Sequence, residues 1–226
     1  RRPAWTAVRS RGSIVSTPGT PGGGLAGASV TPKPFSASVW GAWNWWTHER
    51  EVSVPPGIVA PADPAQVMLD PPLRFEAKDH VFFARAQYTI TARVLRRESY
   101  HVDGGANLAP LDLGLGWGAM SDTAVVRELE FSQMGRFLYW RPRDWTTFPL
   151  TPKDINTHAA QVHAVPADAE VERRLRKLRP GNVVTLTGYL VDIRGPRGFA
   201  WNTSLRRDDT GDGACELMWI REVQIE

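Results

Sequence analysis

From Phe82 to Val94 the chain alternates. Phe82, Ala84, Ala86, Tyr88, Ile90, Ala92 and Val94 are separated by Arg85, Gln87, Thr89, Thr91 and Arg93. A period of two over this length predicts a long strand with one buried and one wet face. Near the C-terminus "NVVTLTGYLVDI", "GFAWNTSL" and "CELMWIREVQI" predict three more strands, read as a meander. Short strands are expected at "EFSQ" and "RFLYWR". The helical signals are weaker. Ser121 or Asp122 suits the cap of a short helix through "TAVVREL". Thr151, Pro152 and Asp154 stand in the order of cap, first turn and capping-box acid, and Ile155, Ala159 and Val162 follow at helical spacing. A further helix is expected from Asp168 to Leu178, with Val171, Leu175 and Leu178 as its stripe. "NLAPLDLGLGWGAMSD" shows neither period and reads as loop.

The predicted fold is mainly β with a few short helices (α+β), arranged as an antiparallel sheet or a small barrel. Residues 181–226 suit a barrel of the oligonucleotide/oligosaccharide-binding (OB) type. An extended, basic, Gly/Pro-rich arm takes residues 1–50 and a Pro-rich linker residues 51–72. The globular domain runs from 73 to 226.

Composition changes this picture in two ways. Residues 1–50 hold six Arg or Lys against one Glu, so a net +5 sits on the arm, while the rest of the chain is −2. A basic arm suits an anionic lipid or an acidic partner, and the nearly neutral body carries no footprint for nucleic acid. The single cysteine excludes an internal disulfide and a Cys-based zinc cluster. No apolar run reaches the roughly 18 residues of a membrane span. The chain opens "RRPAW", without Met, so a targeting or anchoring segment is expected ahead of it.

Candidate chemistry gathers in "SLRRDDTGDGACELMWI". Asp208, Thr210, Asp212 and Gly213 match the opening of an EF-hand loop, but its twelfth position, normally Glu, is Trp219. A strand-to-strand turn suits the glycines better, with a non-EF cation site as the alternative. Cys215 falls at an apolar position of the following strand, with Leu217, Trp219 and Val223, so it reads as core and not as a nucleophile. His158 and His163 are five apart, one more than a zinc pair on a helix needs. The arginines of "ERRLRKLR" read as a solvated helix face, with an anionic partner as the alternative. Trp40, Trp43, Trp45 and Trp46, beside the arm, suit a partner or membrane interface better than docking on the chain's own body.

Several longer stretches are distinctive, among them "GIVAPADPAQ", "DLGLGWGAMSD", "NTHAAQVHAVPA" and "WNTSLRRDDTGDGACEL". Through them, from about Gly57 to the end, the chain resembles a family of bacterial membrane-anchored proteins with no assigned activity. The resemblance implies a membrane-anchored topology and no chemistry; the long Gly/Pro arm departs from it.

The expected protein is therefore a non-catalytic accessory domain, extracytoplasmic (periplasmic) in a bacterium, with no cofactor and no metal. It would dock on a membrane protein complex or membrane surface through Trp40, Trp43, Trp45, Trp46, Arg1, Arg2, Arg9 and Arg11, with no nucleic-acid partner. Two alternatives stand beside it. One is a hydrolase-like or metal-assisted enzyme around Asp208, Asp209, Asp212, His158 and His163. The other is a glycan- or peptide-binding β-barrel module.

Overall fold

A computed structural model describes residues 6–7, 51–206 and 215–226. The arm residues singled out above (Arg1, Arg2, Arg9, Arg11, Trp40, Trp43, Trp45 and Trp46) lie outside the described residues, as do Asp208, Asp209 and Asp212.

The chain is mainly β. The alternating run becomes β3 (His80–Ser99), a strand of 20 residues. Its even positions from Ala86 to Val94 enter the main core. Beyond Ala92 the strand is buried on both faces: Val94 points to the main core and Leu95 to a second cluster. Arg93, expected on the wet face, is therefore buried.

Five strands pair in a ring. β3 is antiparallel to β4 (Leu111–Gly116), and β4 is antiparallel to β7 (Ala159–Pro166). β7 runs parallel to β10 (Cys215–Ile225), which is antiparallel to β8 (Val183–Arg194). β8 closes the circle by pairing antiparallel with β3. Taken in chain order as strands one to five, the ring reads 1-2-3-5-4-1, the strand order of an OB-type barrel. The short helix α3 (Ala169–Leu175) lies between the third and fourth strands and puts Val171 and Leu175 into the ring's core. The OB-like part thus extends from β3 to the C-terminus, well beyond residues 181–226. β2 (Ala65–Ala77) flanks β3, and the two-residue β9 (Ala200–Trp201) flanks β8.

A smaller sheet lies beside the ring. β5 (Leu129–Met134) and β6 (Phe137–Pro142) form a hairpin, and the arm contributes β1 (Thr6–Ala7) as a third strand on β6. With α1 (Thr123–Val126) and α2 (Pro152–Thr157), the hairpin builds the second cluster around Leu95, Met120, Trp140 and Ile155. Asp122 caps α1, accepting from Ala124 N at 2.8 Å, and Thr151 with Asp154 forms the capping box of α2.

Four further expectations change. "LDLGLG" is a fully buried strand, not loop. Its glycines let neighbours close in: a Cβ on Gly114 would lie 2.8 Å from the Leu138 side chain. The helix after Thr151 ends at Thr157, and "AAQVHAVP" is a strand buried along its whole length. A short apolar run buried on both faces carries no period to separate strand from helix. The C-terminal strands are not a sequential meander, because β10 inserts between β7 and β8. The Pro-rich stretch 51–72 is packed onto the body. Val52 N donates to Pro180 O at 2.8 Å, Ser121 Oγ accepts from Val59 N and Ala60 N, and β2 starts at Ala65, ahead of Leu73. Side chains from distant segments satisfy the backbone there, so the prolines do not make a linker.

Ring closure depends on close approach at Gly188. It pairs with Ile220 of β10 beside the register shift between Ile220 and Glu222, and an added Cβ would sit 1.9 Å from Trp219 O. Backbone there cannot retreat without breaking the ladder. Gly188→Ala is expected to destabilise the fold by about 1–3 kcal/mol in chemical denaturation. Gly104→Ala, whose Cβ meets nothing within 4 Å, is the control and should leave the midpoint unchanged.

Candidate functional site

The outer face of β4 and β7 carries a buried polar hub. Asp112 lies opposite His163 in the ladder, and Gly114 lies opposite Gln161. The side chains of Leu111, Leu113 and Leu115 enter the ring's core, so Asp112 points the other way, toward the hairpin. Its carboxylate is 0% exposed. Such a charge is tolerated only when donors surround it. His163 Nδ1 donates to Oδ1 at 2.9 Å and Arg136 Nη1 donates to the same oxygen at 3.0 Å. Gln161 Nε2 and Gln133 Nε2 donate to Oδ2 at 3.2 and 3.4 Å. Because a carboxylate only accepts, the His163 proton sits on Nδ1.

Arg136 reaches this face because of the hairpin turn. Gly135 takes a left-handed φ of 60°, which a glycine adopts without strain, and the next residue is thrust over β4. Its guanidinium then grips Asp103 as a fork, with Nη2 at 2.8 Å from Oδ1 and Nε at 3.0 Å from Oδ2. Burial alone would raise the Asp103 pKa. The hydrogen bonds and charge of Arg136, with the Gly105 and Ala106 N–H groups, outweigh it and hold the carboxyl below its usual range. Tyr100 donates its hydroxyl to Gly135 O and accepts from Gln133 Nε2 at 2.9 Å. Burial, then the Asp112 charge, push its pKa far up, so it remains a neutral donor. Aromatic rings close the rim: the Arg136 guanidinium lies 4.1 Å from the Tyr100 ring centroid, and Trp201 lies 5.0 Å from His163.

The hub joins the loop after β3, strands β4 and β7, the β5–β6 hairpin and β9. Its chemistry is cohesion: charge-assisted hydrogen bonds tie these segments together. Asp112 orients His163 as an acid orients a general base, but the imidazole is nearly buried and Trp201 lies against it. The face above it, with Trp201, Tyr100 and Arg136, presents aromatic surface and fixed donors.

The two histidines named from sequence have separate partners. His158 caps the end of α2, with Nδ1 2.8 Å from Asp154 O, while His163 belongs to Asp112. Cys215 is buried in β10, in line with its reading as core. The basic helix face is exposed and carries its own acids: Arg174 pairs with Glu170 at 2.8 Å and Arg176 with Glu172 at 2.6 Å. Among the described residues no group of three or more His, Cys, Asp or Glu is placed to hold a metal, and no helix is long and apolar enough to cross a membrane.

Sequence reasoning missed Asp112, Gln133, Arg136, Tyr100, Asp103, Gln161 and Trp201. One signal was present. Read as a strand, "DLGLG" puts Asp112 on the same face as Gly114 and Gly116, and glycine in a strand marks the close approach of another segment.

No family model, no curated protein and no solved structure matches the chain.

Two outcomes test the hub. Asp112→Ala leaves Arg136 and His163 facing a buried gap, and is expected to cost about 3–5 kcal/mol of stability; a loss below about 1 kcal/mol would show that the hub is not structural. Asp103, with its folded pKa below the unfolded value, contributes stability that is complete above about pH 4 and is lost as the pH falls through the folded pKa. The urea midpoint should therefore fall as the pH drops below about 4, and Asp103→Asn should flatten that fall. An identical acid limb in the variant would refute the Arg136–Asp103 assignment.

Proposed function

We propose that this chain is a non-catalytic accessory domain that docks on a membrane-associated protein assembly outside the bacterial cytoplasm. The observation that supports this reading most is an edge. β2 is an outer strand of the large sheet and, among the described residues, pairs only with β3. It carries Val67, Met68 and Leu73 exposed to solvent. An apolar edge strand is a template for a partner strand or surface, and natural proteins guard such edges unless they are used. Pro71 and Pro72 interrupt the pairing of β2 between Met68 and Leu73, which limits uncontrolled strand addition. The arm brings a second attachment. β1 roots it on β6, and its sequence supplies a net +5 and the cluster of Trp40, Trp43, Trp45 and Trp46.

A second reading has its own support. The ring has the strand order of OB-type modules, whose ligands lie across the second and third strands and the adjoining loops. Here that face is rimmed by Trp201, Tyr100 and Arg136, which suits a glycan or a peptide.

The test is co-purification from the native membrane in mild detergent. Wild-type protein should emerge with a defined assembly. Deleting residues 1–50, or introducing Met68→Lys on the edge, should release a folded body that no longer joins it. Met68→Lys is exposed and should change stability by no more than about 0.5 kcal/mol. Normal assembly by both variants would refute the docking reading. Loss of glycan or peptide binding in Trp201→Ala, with assembly intact, would favour the second.

A further inference from the structure

A cleft of about 510 Å³ opens between the outer face of β3 and the hairpin, away from the Asp112 hub. Leu95, Val126, Leu129 and Phe131 give it an apolar wall, and Arg127 and Arg143 also line it. Its volume is that of a small-molecule site. At one side sits Arg93, with its side chain only 2% exposed. Nη1 is fixed by Thr123 Oγ1 at 2.7 Å, so the guanidinium is held in place.

The opposite edge of that guanidinium, formed by Nε and Nη2, is a fork that fits both oxygens of a carboxylate. It is only half used. Nη2 donates to Glu51 Oε1 at 3.0 Å, while Nε is buried and has no hydrogen-bond partner among the described residues. A buried donor without an acceptor is unfavourable, and filling the fork removes that penalty. Glu51 is a weak occupant, with its side chain 60% exposed. It can swing into solvent while giving up little buried surface.

We propose that the cleft binds an amphiphilic carboxylate, an acyl chain with one acid head, and that Arg93 receives the head in place of Glu51. The chain lies along Leu95, Val126, Leu129 and Phe131. Arg127 and Arg143 add attraction for the anion. Glu51 marks the head-group position and competes for it. The chemistry of the head is read from the group already there: a carboxylate on one guanidinium edge.

The experiment is titration calorimetry of the full chain with sodium decanoate below its micellar concentration. Decanol and decyltrimethylammonium are the controls with the same chain and no acid. Decanoate should bind saturably, and the controls at least about tenfold more weakly, the factor that losing one charge-assisted fork implies. Arg93→Gln should weaken decanoate by about tenfold or more. Glu51→Gln should strengthen it by roughly threefold, because the competing charge is gone. Glu51 is exposed, so this variant keeps the test decisive if Arg93→Gln fails to fold. Absence of saturable binding, equal binding of decanol, or unchanged or weaker binding in Glu51→Gln would overturn the proposal.

Discussion

The architecture depends on one buried carboxylate. Asp112 stands on a strand with no solvent on either face, and removing it from water is tolerable only with donors on both oxygens. Those donors come from far apart in the chain: His163 and Gln161 from β7, Gln133 and Arg136 from the hairpin. The hairpin therefore cannot leave the face of the ring without stranding a charge. Arg136 passes the constraint on, because the guanidinium that holds Asp112 also holds Asp103 and Ala109 O in the loop after β3. Apolar packing alone would bring these layers together. The polar hub decides in which orientation they meet.

Ring closure is the second constraint, and backbone geometry sets it. β10 must fit between β7, which it parallels, and β8, which it opposes. The fit needs a glycine where β8 meets Trp219 and a shift of register just beyond it. The shift redistributes the side chains of β10: Leu217 and Trp219 serve the third cluster, while Met218, Ile220 and Val223 serve the main core. Cys215 is buried at the head of this strand, and its burial follows from the position of β10 in the middle of the sheet.

Three surfaces divide the functional possibilities. The β2 edge exposes Val67, Met68 and Leu73 beside the charged Arg74 and Glu76, the rim around Trp201 is aromatic and rich in donors, and the Arg93 cleft combines an apolar wall with a buried cation. Each is matched in the proposals to a different partner: a protein strand or surface, a polar ligand, an acyl anion. Occupancy of the cleft need not disturb the edge, since Arg93 lies on the half of β3 beyond the residues that pair with β2. The two proposed roles are physically compatible, because membrane assemblies and acyl chains meet at a lipid boundary.

Local rules made much of the chain legible. The alternation through β3, the caps at Asp122 and Thr151, and the stripe of α3 are patterns between near neighbours, and they need no tertiary knowledge. They establish a mainly β chain with short helices. What they could not carry is burial on both faces. β4 and β7 lie wholly inside, so their residues lost the alternation that would have identified them as strands, and "LDLGLG" and "AAQVHAVP" were misread for that reason. Arg93 failed the same way: its polar position in the alternation placed it in water, while α1 and the stretch from Glu51 cover it. The hub was invisible because its members are scattered from Tyr100 to Trp201, and no spacing rule links an aspartate on one strand to an arginine on a separate hairpin. Propensity and period are properties of adjacent residues. The closing of the ring, the choice of which charges to bury and the partners that make burial tolerable are properties of distant ones, and only tertiary structure brings those together.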